Sequence, residues 1–356
     1  MTETAENLVQ EFTEKKFAKR YNKNYKFLLI IPLILILLSA IQIVIFYQQN
    51  NDFINKDVSL TGGISITIFP HEEVNLNELK SHISKTSDDL TIRELSDFRS
   101  GKQKAIVIET PLDPSEIDSL KSEIQNFLGY DLDNENSSIE STGSTLSQSF
   151  YIQLVYALIL SFSFMALVVL FIFGTGARLK TILIIITIIP VILFFAGLIK
   201  IEIAIILGTI ILLVNLGFYI KYSIPSAAVV ISAFADFFMT LALVDFLGIK
   251  VSSAGIVAFL MLIGYSVDSD IMLTTRLLKR QGDLNKNLAG AFKTGLTMTL
   301  TSIIAITVAL IMTQSFSEIL KQIFTILLIG LAFDLPNTWI TNASILKWHL
   351  ESGRKS

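Results

Sequence analysis

The chain has 356 residues, 52% of them hydrophobic and only 17% charged, and its mean hydropathy is +0.61. A water-soluble fold cannot hide that much apolar surface, because charged residues make up roughly 25% of ordinary globular chains, so the bilayer is the solvent this sequence suits. A net charge of −3 gives no case for nucleic acid as a partner, and the lack of cysteine excludes a disulfide framework and any Cys-ligated metal or cluster.

A helix that crosses the hydrocarbon core needs roughly 20 predominantly apolar residues. The first such run is 27–47, which follows a polar segment, 1–26, carrying Lys15, Lys16, Lys19, Arg20, Lys23 and Lys26. The run is too long for a signal peptide and no small-residue cleavage site follows it, so it reads as a permanent anchor. A polar region, 48–150, comes next. Further spans are expected at 151–173, 181–199, 203–220, 226–247, 253–274, 292–312 and 322–343, the last four forming a membrane core over 226–346, followed by a tail, 347–356. Only Lys200 and Glu202 separate the two members of the 181–220 hairpin.

Lys and Arg set the orientation. With the N-terminus in the cytoplasm, the inner segments carry the N-terminal cations and Arg178, Lys180, Lys221, Arg276, Lys279, Arg280, Lys286, Lys293, Lys347, Arg354 and Lys355. The short outer loops carry only Lys200, Lys250 and Lys321. Both termini are then cytoplasmic and 48–150 is extracytoplasmic, in a multi-pass protein of the cell membrane. Reading 181–220 as one span would put the cation cluster at 276–293 on the wrong side.

The 48–150 region reads as a small α+β unit. Ile64 to Phe69 alternates in the manner of a strand, and Leu76, Leu79 and Ile83 are spaced for one helix face. Leu90 to Leu95 and Ala105 to Ile108 suit two strands joined around Ser100-Gly101. A second helix opens at Asp113, with Pro114 in its first turn and Glu116 closing a capping box; its stripe is Ile117, Leu120, Ile124 and Leu128. A strand near Ile139 closes the order βαββαβ, a ferredoxin-like arrangement that by itself decides no function. Asn136-Ser137-Ser138 is a glycosylation sequon on the expected outer side, whereas Asn342-Ala343-Ser344 matches the same pattern at the inner end of a span.

The informative residues are acids where acids are costly: Asp236, Asp268, Asp270 and Asp334 all fall inside expected spans. An Asp at a helix centre costs on the order of 2.5–3.5 kcal/mol on insertion scales and by default marks function. Polar residues share their faces. Ser232, Asp236 and Thr240 are spaced i, i+4, i+8, and Gly264, Asp268 and Thr275 fall on one face of the next span. Thr294, Thr297 and Thr301 run i, i+3, i+7, and Asp334, Asn337, Thr338, Thr341 and Asn342 form a stripe interrupted by Pro336. Seams of this kind are expected to face one another or a wet cavity rather than lipid. With no Lys or Arg inside the apolar part of these spans, the acids are expected to be protonated, hydrated or paired with a cation from elsewhere, such as another chain.

Several of these stretches together resemble the SecF family. They are Ala233-Phe234-Ala235-Asp236, then Gly248-Ile249, then Ile263-Gly264-Tyr265-Ser266-Val267-Asp268-Ser269-Asp270, with Thr61-Gly62-Gly63 after the first span. The runs from Lys293 to Thr299 and from Asp334 to Trp339 are similar to the archaeal branch. The resemblance implies a polytopic helical membrane protein related to RND transporters, with six core spans. Here 181–220 would be an inserted hairpin. It also implies the partners SecD, a SecY-type translocation channel and exported polypeptides, and a role in protein export driven by the proton-motive force. Carried onto this chain, Asp236 and the Asp268/Asp270 pair become the proton-coupling candidates. The acid of the bacterial motif falls at Ser269 here, so which neighbour carries the role stays open.

Catalytic readings fare poorly, and no enzyme is expected. Gly174 to Thr181 lacks the glycine before Lys180-Thr181 that a phosphate-binding loop needs, because Leu179 stands there. Neither Asp268 nor Asp270 has the context of an intramembrane aspartyl protease, and no Ser, His and Asp grouping suggests hydrolysis. His71, His82 and His349 have no metal-ligand spacing, so no metal or other cofactor is expected. Two rivals to proton-driven export remain: an RND-like exporter of small molecules or lipids, and an assembly factor for the Sec channel that moves no protons.

Overall fold

The computed structural model describes residues 24–84, 90–96, 100–174, 176–279, 284–313 and 317–353. Most of the expected N-terminal segment 1–26, the end of the tail 347–356, and Arg280 lie outside the described residues. Helix α1 (Ile30–Asn50), apolar all round, continues the helical residues 24–28 and stops where Asn51 turns left-handed at φ 54°. A short helix α2 (Val58–Thr61) follows, capped by the Asp57 carboxylate, which accepts from the Ser59 N–H at 2.8 Å.

Thr61-Gly62-Gly63 then launches the α+β domain. Gly62 has φ +87°, and a Cβ there would fall 2.4 Å from the Ser144 Cα at the start of the next membrane helix. Only glycine meets both conditions, so this turn pins the domain's first strand against the chain that leaves the domain.

The domain comprises β1 (Gly63–Ile68), α3 (Leu76–Ile83), β2 (Thr91–Ser96), β3 (Gln103–Thr110), α4 (Ile117–Leu128) and β4 (Ser137–Thr142). The strands lie in the order β2-β3-β1-β4 and every pairing is antiparallel, with Ile66 opposite both Ile108 and Ile139. This is the ferredoxin-like topology that the sequence predicts. One sheet face buries Ile64, Ile66, Ile68, Ile106 and Ile108 against Leu79, Ile83, Leu120 and Ile124 of the helices. The capping box is realised differently: Asp113 caps Ser115 at 3.0 Å, a single 3-10 turn (Pro114–Glu116) follows, and α4 proper begins at Ile117.

The membrane part comprises α5 (Ser144–Phe173), α6 (Ala177–Phe195), α7 (Ile201–Tyr222), α8 (Ile224–Phe246), α9 (Ser253–Lys279), α10 (Leu284–Thr313), α11 (Glu318–Pro336) and α12 (Ala343–Gly353). Among the described residues seven helices are long and apolar enough to cross a membrane, against the eight spans expected; a further apolar helix, Lys180–Phe195, is shorter. It contains Pro190 and ends in a turn at Gly197, so the hairpin's first arm stops short of the expected 181–199. Helix α8 is the most enclosed and packs against α1, α5, α9 and α11, while α6 and α7 lie together along α5.

Between α11 and α12 the helix widens into a π-turn, Asn337–Asn342. Pro336 precedes it; lacking an N–H, proline cannot continue the i→i−4 ladder, and the chain rewinds with wider spacing. The consequence is local and specific: Asn337, Thr338, Thr341 and Asn342 are all buried.

Candidate functional site

Three acids meet in the bundle interior. Asp236 comes from α8, Asp270 from α9 and Asp334 from α11, and none is more than 1% exposed. Helix contact brings them together. Gly330 lies where α11 meets α9, and a Cβ there would stand 2.3 Å from the Leu262 side chain, so its absence lets the two helices approach one turn above Asp334.

Each acid is held by hydroxyl and amide groups. Ser266 donates to Asp236 Oδ2 at 2.5 Å, and the Asn337 amide donates to Asp236 Oδ1. Thr240 bonds the Asp236 main-chain carbonyl at 2.6 Å. Asn342 donates to Asp270 Oδ1 at 2.8 Å, with Thr274 Oγ1 3.5 Å from the same amide. Thr338 Oγ1 lies 3.0 Å from Asp270 Oδ1 and 3.1 Å from Asp334 Oδ1. Thr341 donates to Asn337 Oδ1 at 3.3 Å, which orients the amide serving Asp236. Ser232 also stands beside Asp270, and Ser266, Ser269 and Thr299 beside Asp334, with Asp270 Oδ2, Asp334 Oδ2 and Ser232 Oγ buried but outside strict hydrogen-bond geometry. Among the described residues no ion pair joins a Lys or Arg to these acids, and none of their groups of three or more His, Asp or Glu is arranged to hold a metal.

The other expected residues lie elsewhere. Asp268 and Gly264 are exposed and Tyr265 is 43% exposed, so the face of Gly264, Asp268 and Thr275 turns away from the acids. Helix geometry requires the separation: two positions apart on a helix is about 200° around it, so Asp268 and Asp270 cannot share a side. The threonines of α10 also stay out of the cluster. Thr294 accepts from Arg276 at 2.9 Å, and Thr297 and Thr301 bond their own helix carbonyls at 2.8 and 2.7 Å. A hydroxyl satisfied four residues back along its own helix needs no wet seam. The α10 residue that turns inward there is Thr299, which the periodicity did not single out. Thr274 was also missed, although Ser266, Asp270 and Thr274 follow i, i+4, i+8 and give the inward stripe of α9.

A second network joins the bundle to the α+β domain. The α8–α9 loop pairs with the chain leaving α1: Val251 N–H donates to Asn55 O at 2.5 Å and Asp57 N–H to Val251 O at 3.1 Å. Asp245, at the end of α8 and passed over by the sequence reading, accepts from Asn55 N–H at 3.1 Å. Gln322 of α11 bonds Ser252 and the Lys250 carbonyl, and Ser253 N–H donates to Ser59 Oγ at 3.0 Å. Lys250 Nζ donates to Thr91 of β2 at 2.6 Å, beside an Arg93–Glu109 ion pair on the sheet. Burial raises the carboxyls of Asp57 and Glu109 above their ordinary values. The Ser59 bonds at Asp57 and Arg93 at Glu109 offset that only in part.

Comparison with known proteins places this arrangement. Residues 198–352 match the family described as "Protein export membrane protein SecD/SecF, C-terminal". The chain is 34% identical over 337 residues to the protein-export membrane protein SecF of Methanocaldococcus jannaschii, covering 93% of this chain and 98% of that one. It is 30% identical over 328 residues to SecF of Thermococcus gammatolerans, covering 91% and 85%. With SecF of Methanolacinia petrolearia the identity is 48% over 133 residues, which spans 37% of this chain and 47% of that protein. Among solved structures the fold is similar to SecDF, a translocon-associated membrane protein from Thermus thermophilus, with a TM-score of 0.59 at 13% identity. That match covers 92% of this chain but only 38% of the SecDF chain.

Proposed function

The chain belongs to the SecF family of protein-export membrane proteins, and on that premise we propose that it is a SecF-type subunit that couples proton movement through its acid cluster to movement of the α+β domain. It works with SecD beside a SecY-type channel and assists exported polypeptides on the outer side, with both termini cytoplasmic. The observation that carries this reading is the junction of Asp236, Asp270 and Asp334, buried together among hydroxyls and amides. Acids kept at such cost in a bundle interior, with partners that both donate and accept, can exchange protons as helices shift. A proton crossing 100 mV supplies about 2.3 kcal/mol, enough to bias a packing equilibrium of a few kcal/mol.

Transmission follows the second network. Asp236 and Asp270 sit on the two helices joined by the 247–252 loop, and that loop is bonded to the base of the domain and, through Lys250, to its sheet. A shift of α8 against α9 at the acids therefore moves the platform on which the domain stands.

Asp268 takes a different part. It lies on the outer face of the bundle, inside a membrane helix, and an uncovered carboxylate there is costly. A helix of the SecD partner covers it and supplies the counter-charge. A purely structural role for the inner acids makes a different prediction, because packing alone leaves secretion normal once a carboxyl is replaced by an amide. The small-molecule exporter reading calls for a large outer region with an apolar cleft, whereas the described sheet and helices of the domain pack on one shared aliphatic core.

Asp270→Asn tests the reading. Secretion of a Sec-dependent reporter falls at least about tenfold while the chain keeps its membrane level. Asp268→Asn instead weakens co-purification of SecD. Normal secretion with Asp270→Asn would remove the proton-coupling proposal.

A further inference from the structure

We infer that the Thr338 hydroxyl is a proton relay between Asp334 and Asp270, a positioning and transfer group within the proton-coupled reading above, on which this inference rests. A threonine hydroxyl has one hydrogen to give and two lone pairs to receive with. Its oxygen stands 3.0 Å from Asp270 Oδ1 and 3.1 Å from Asp334 Oδ1. Its single hydrogen can serve only one of these contacts. In the other, two oxygens would face each other through lone pairs and repel, unless the carboxyl itself supplies the hydrogen. The geometry therefore calls for a carboxylic acid on at least one side of the alcohol, and the transfer starts from Asp334 protonated and Asp270 ionised.

The step balances without any further reactant. Asp334 Oδ1–H donates to Thr338 Oγ1, and Thr338 Oγ1–H donates to Asp270 Oδ1. As the Asp334 O–H bond breaks, a new O–H bond forms on Thr338; as the old Thr338 O–H bond breaks, one forms on Asp270. Thr338 ends as it began, with a different hydrogen, and one proton has passed from α11 to α9. The reverse step is the same path read backwards.

The surroundings favour a relay at this residue. Thr338 is fully buried on the π-turn, whose wide spacing directs it and Asn342 at the same carboxylate. The remaining acid facing the junction is Asp236 of α8, held by Ser266 and Asn337. Helix α10 presents Thr299 and no charge, Arg276 of α9 is tied to Gly290 and Thr294, Lys347 of α12 bonds Asn285, and Asp268 faces outward. Further hydroxyls, Ser232 at Asp270 and Ser266, Ser269 and Thr299 at Asp334, give each carboxyl a second neighbour from which a proton can arrive or to which it can leave.

The test uses the full chain in its native membrane with its partner. Thr338→Val removes the hydroxyl at nearly constant volume, and Thr338→Ser restores it. Expected is a loss of proton-driven secretion of at least about tenfold for Val and recovery to within about twofold for Ser, at equal membrane levels. In the purified full chain, the infrared band of a protonated carboxyl that disappears in Asp334→Asn or Asp270→Asn shifts in Val and stays in place in Ser. Normal secretion by Val, with Asp270→Asn defective, overturns the relay and leaves the acid cluster standing. Normal secretion by Val and by all three Asp→Asn variants overturns both. If Val does not accumulate, the unmutated chain decides: a protonated carboxyl assigned to Asp270 or Asp334 at neutral pH supports the relay, and two ionised carboxylates overturn it.

Discussion

The α+β domain and the membrane bundle solve opposite packing problems. The domain lives in water, and its core is wholly aliphatic: Ile64, Ile66, Ile68, Leu79, Ile83, Ile106, Ile108, Leu120 and Ile124. The Arg93–Glu109 ion pair sits on the other sheet face. The bundle lives in lipid, shows aliphatic side chains outward along α1 and α10, and encloses Asp236, Asp270, Asp334, Asn337, Thr338 and Asn342. In water, burying apolar groups drives folding, so a polar interior would only cost. In a bilayer, apolar contact between helices gains little over contact with lipid, and polar groups between helices are tolerated where they find partners and something to do. The same side chain, a buried aspartate, is therefore a defect in one half of the molecule and the centre of the other.

The contrast breaks most sharply if an acid is placed in the domain's core. Ile66→Asp puts an unpaired charge where Ile108 and Ile139 meet, and should cost more than about 4 kcal/mol and abolish the folded domain, read as rapid proteolysis of 48–150 with the bundle intact. Tolerance of that change would mean the domain interior is not the dry core described. A smaller effect is expected where the two halves join. Gly62→Ala forces a Cβ toward Ser144 at φ +87° and should destabilise the full chain by more than about 1 kcal/mol, seen as a lowered thermal midpoint. An unchanged midpoint would detach the domain's placement from that turn.

The smallest effect sharpens the electrostatics of the sheet. Because the folded-state value of Glu109 is raised by burial, its protonation favours the folded domain. Its contribution is full below the ordinary carboxylate value and is lost as pH rises through the raised one. Glu109→Gln should flatten the domain's pH dependence in that window. Asp57, raised for the same reason, should still give a residual slope of the same sign. An undiminished slope in the variant would assign the effect elsewhere.

The sequence made the domain legible because water imposes a period. Alternating Ile64, Ile66 and Ile68 and the Leu79/Ile83 and Leu120/Ile124 stripes each mark a dry face, and the strands and helices stand where those periods put them. In the bundle, hydropathy locates helices but not faces, since every side is apolar; the moment that identifies an inward side is carried by a few polar residues. Asp236 with Ser232 and Thr240 pointed inward correctly, and the 334–342 stripe did too. On α9 the pattern offered two acids two positions apart, and only Ser266 and Thr274, each four positions from Asp270, distinguished them. The α10 threonines satisfied themselves on their own helix, which no spacing rule separates from a seam. The π-turn was not foreseeable from spacing, because Pro336 signals an interruption but not the rewinding that turns four polar residues inward together.

Everything rests on the three inner acids gaining and losing protons across the bundle, and proton movement itself is the direct measurement. The full chain and its co-purifying partner, reconstituted in liposomes under an imposed pH gradient, should acidify the lumen, and Asp270→Asn should bring that flux to the level of empty liposomes. Equal flux from the variant and the unmutated chain would contradict the account.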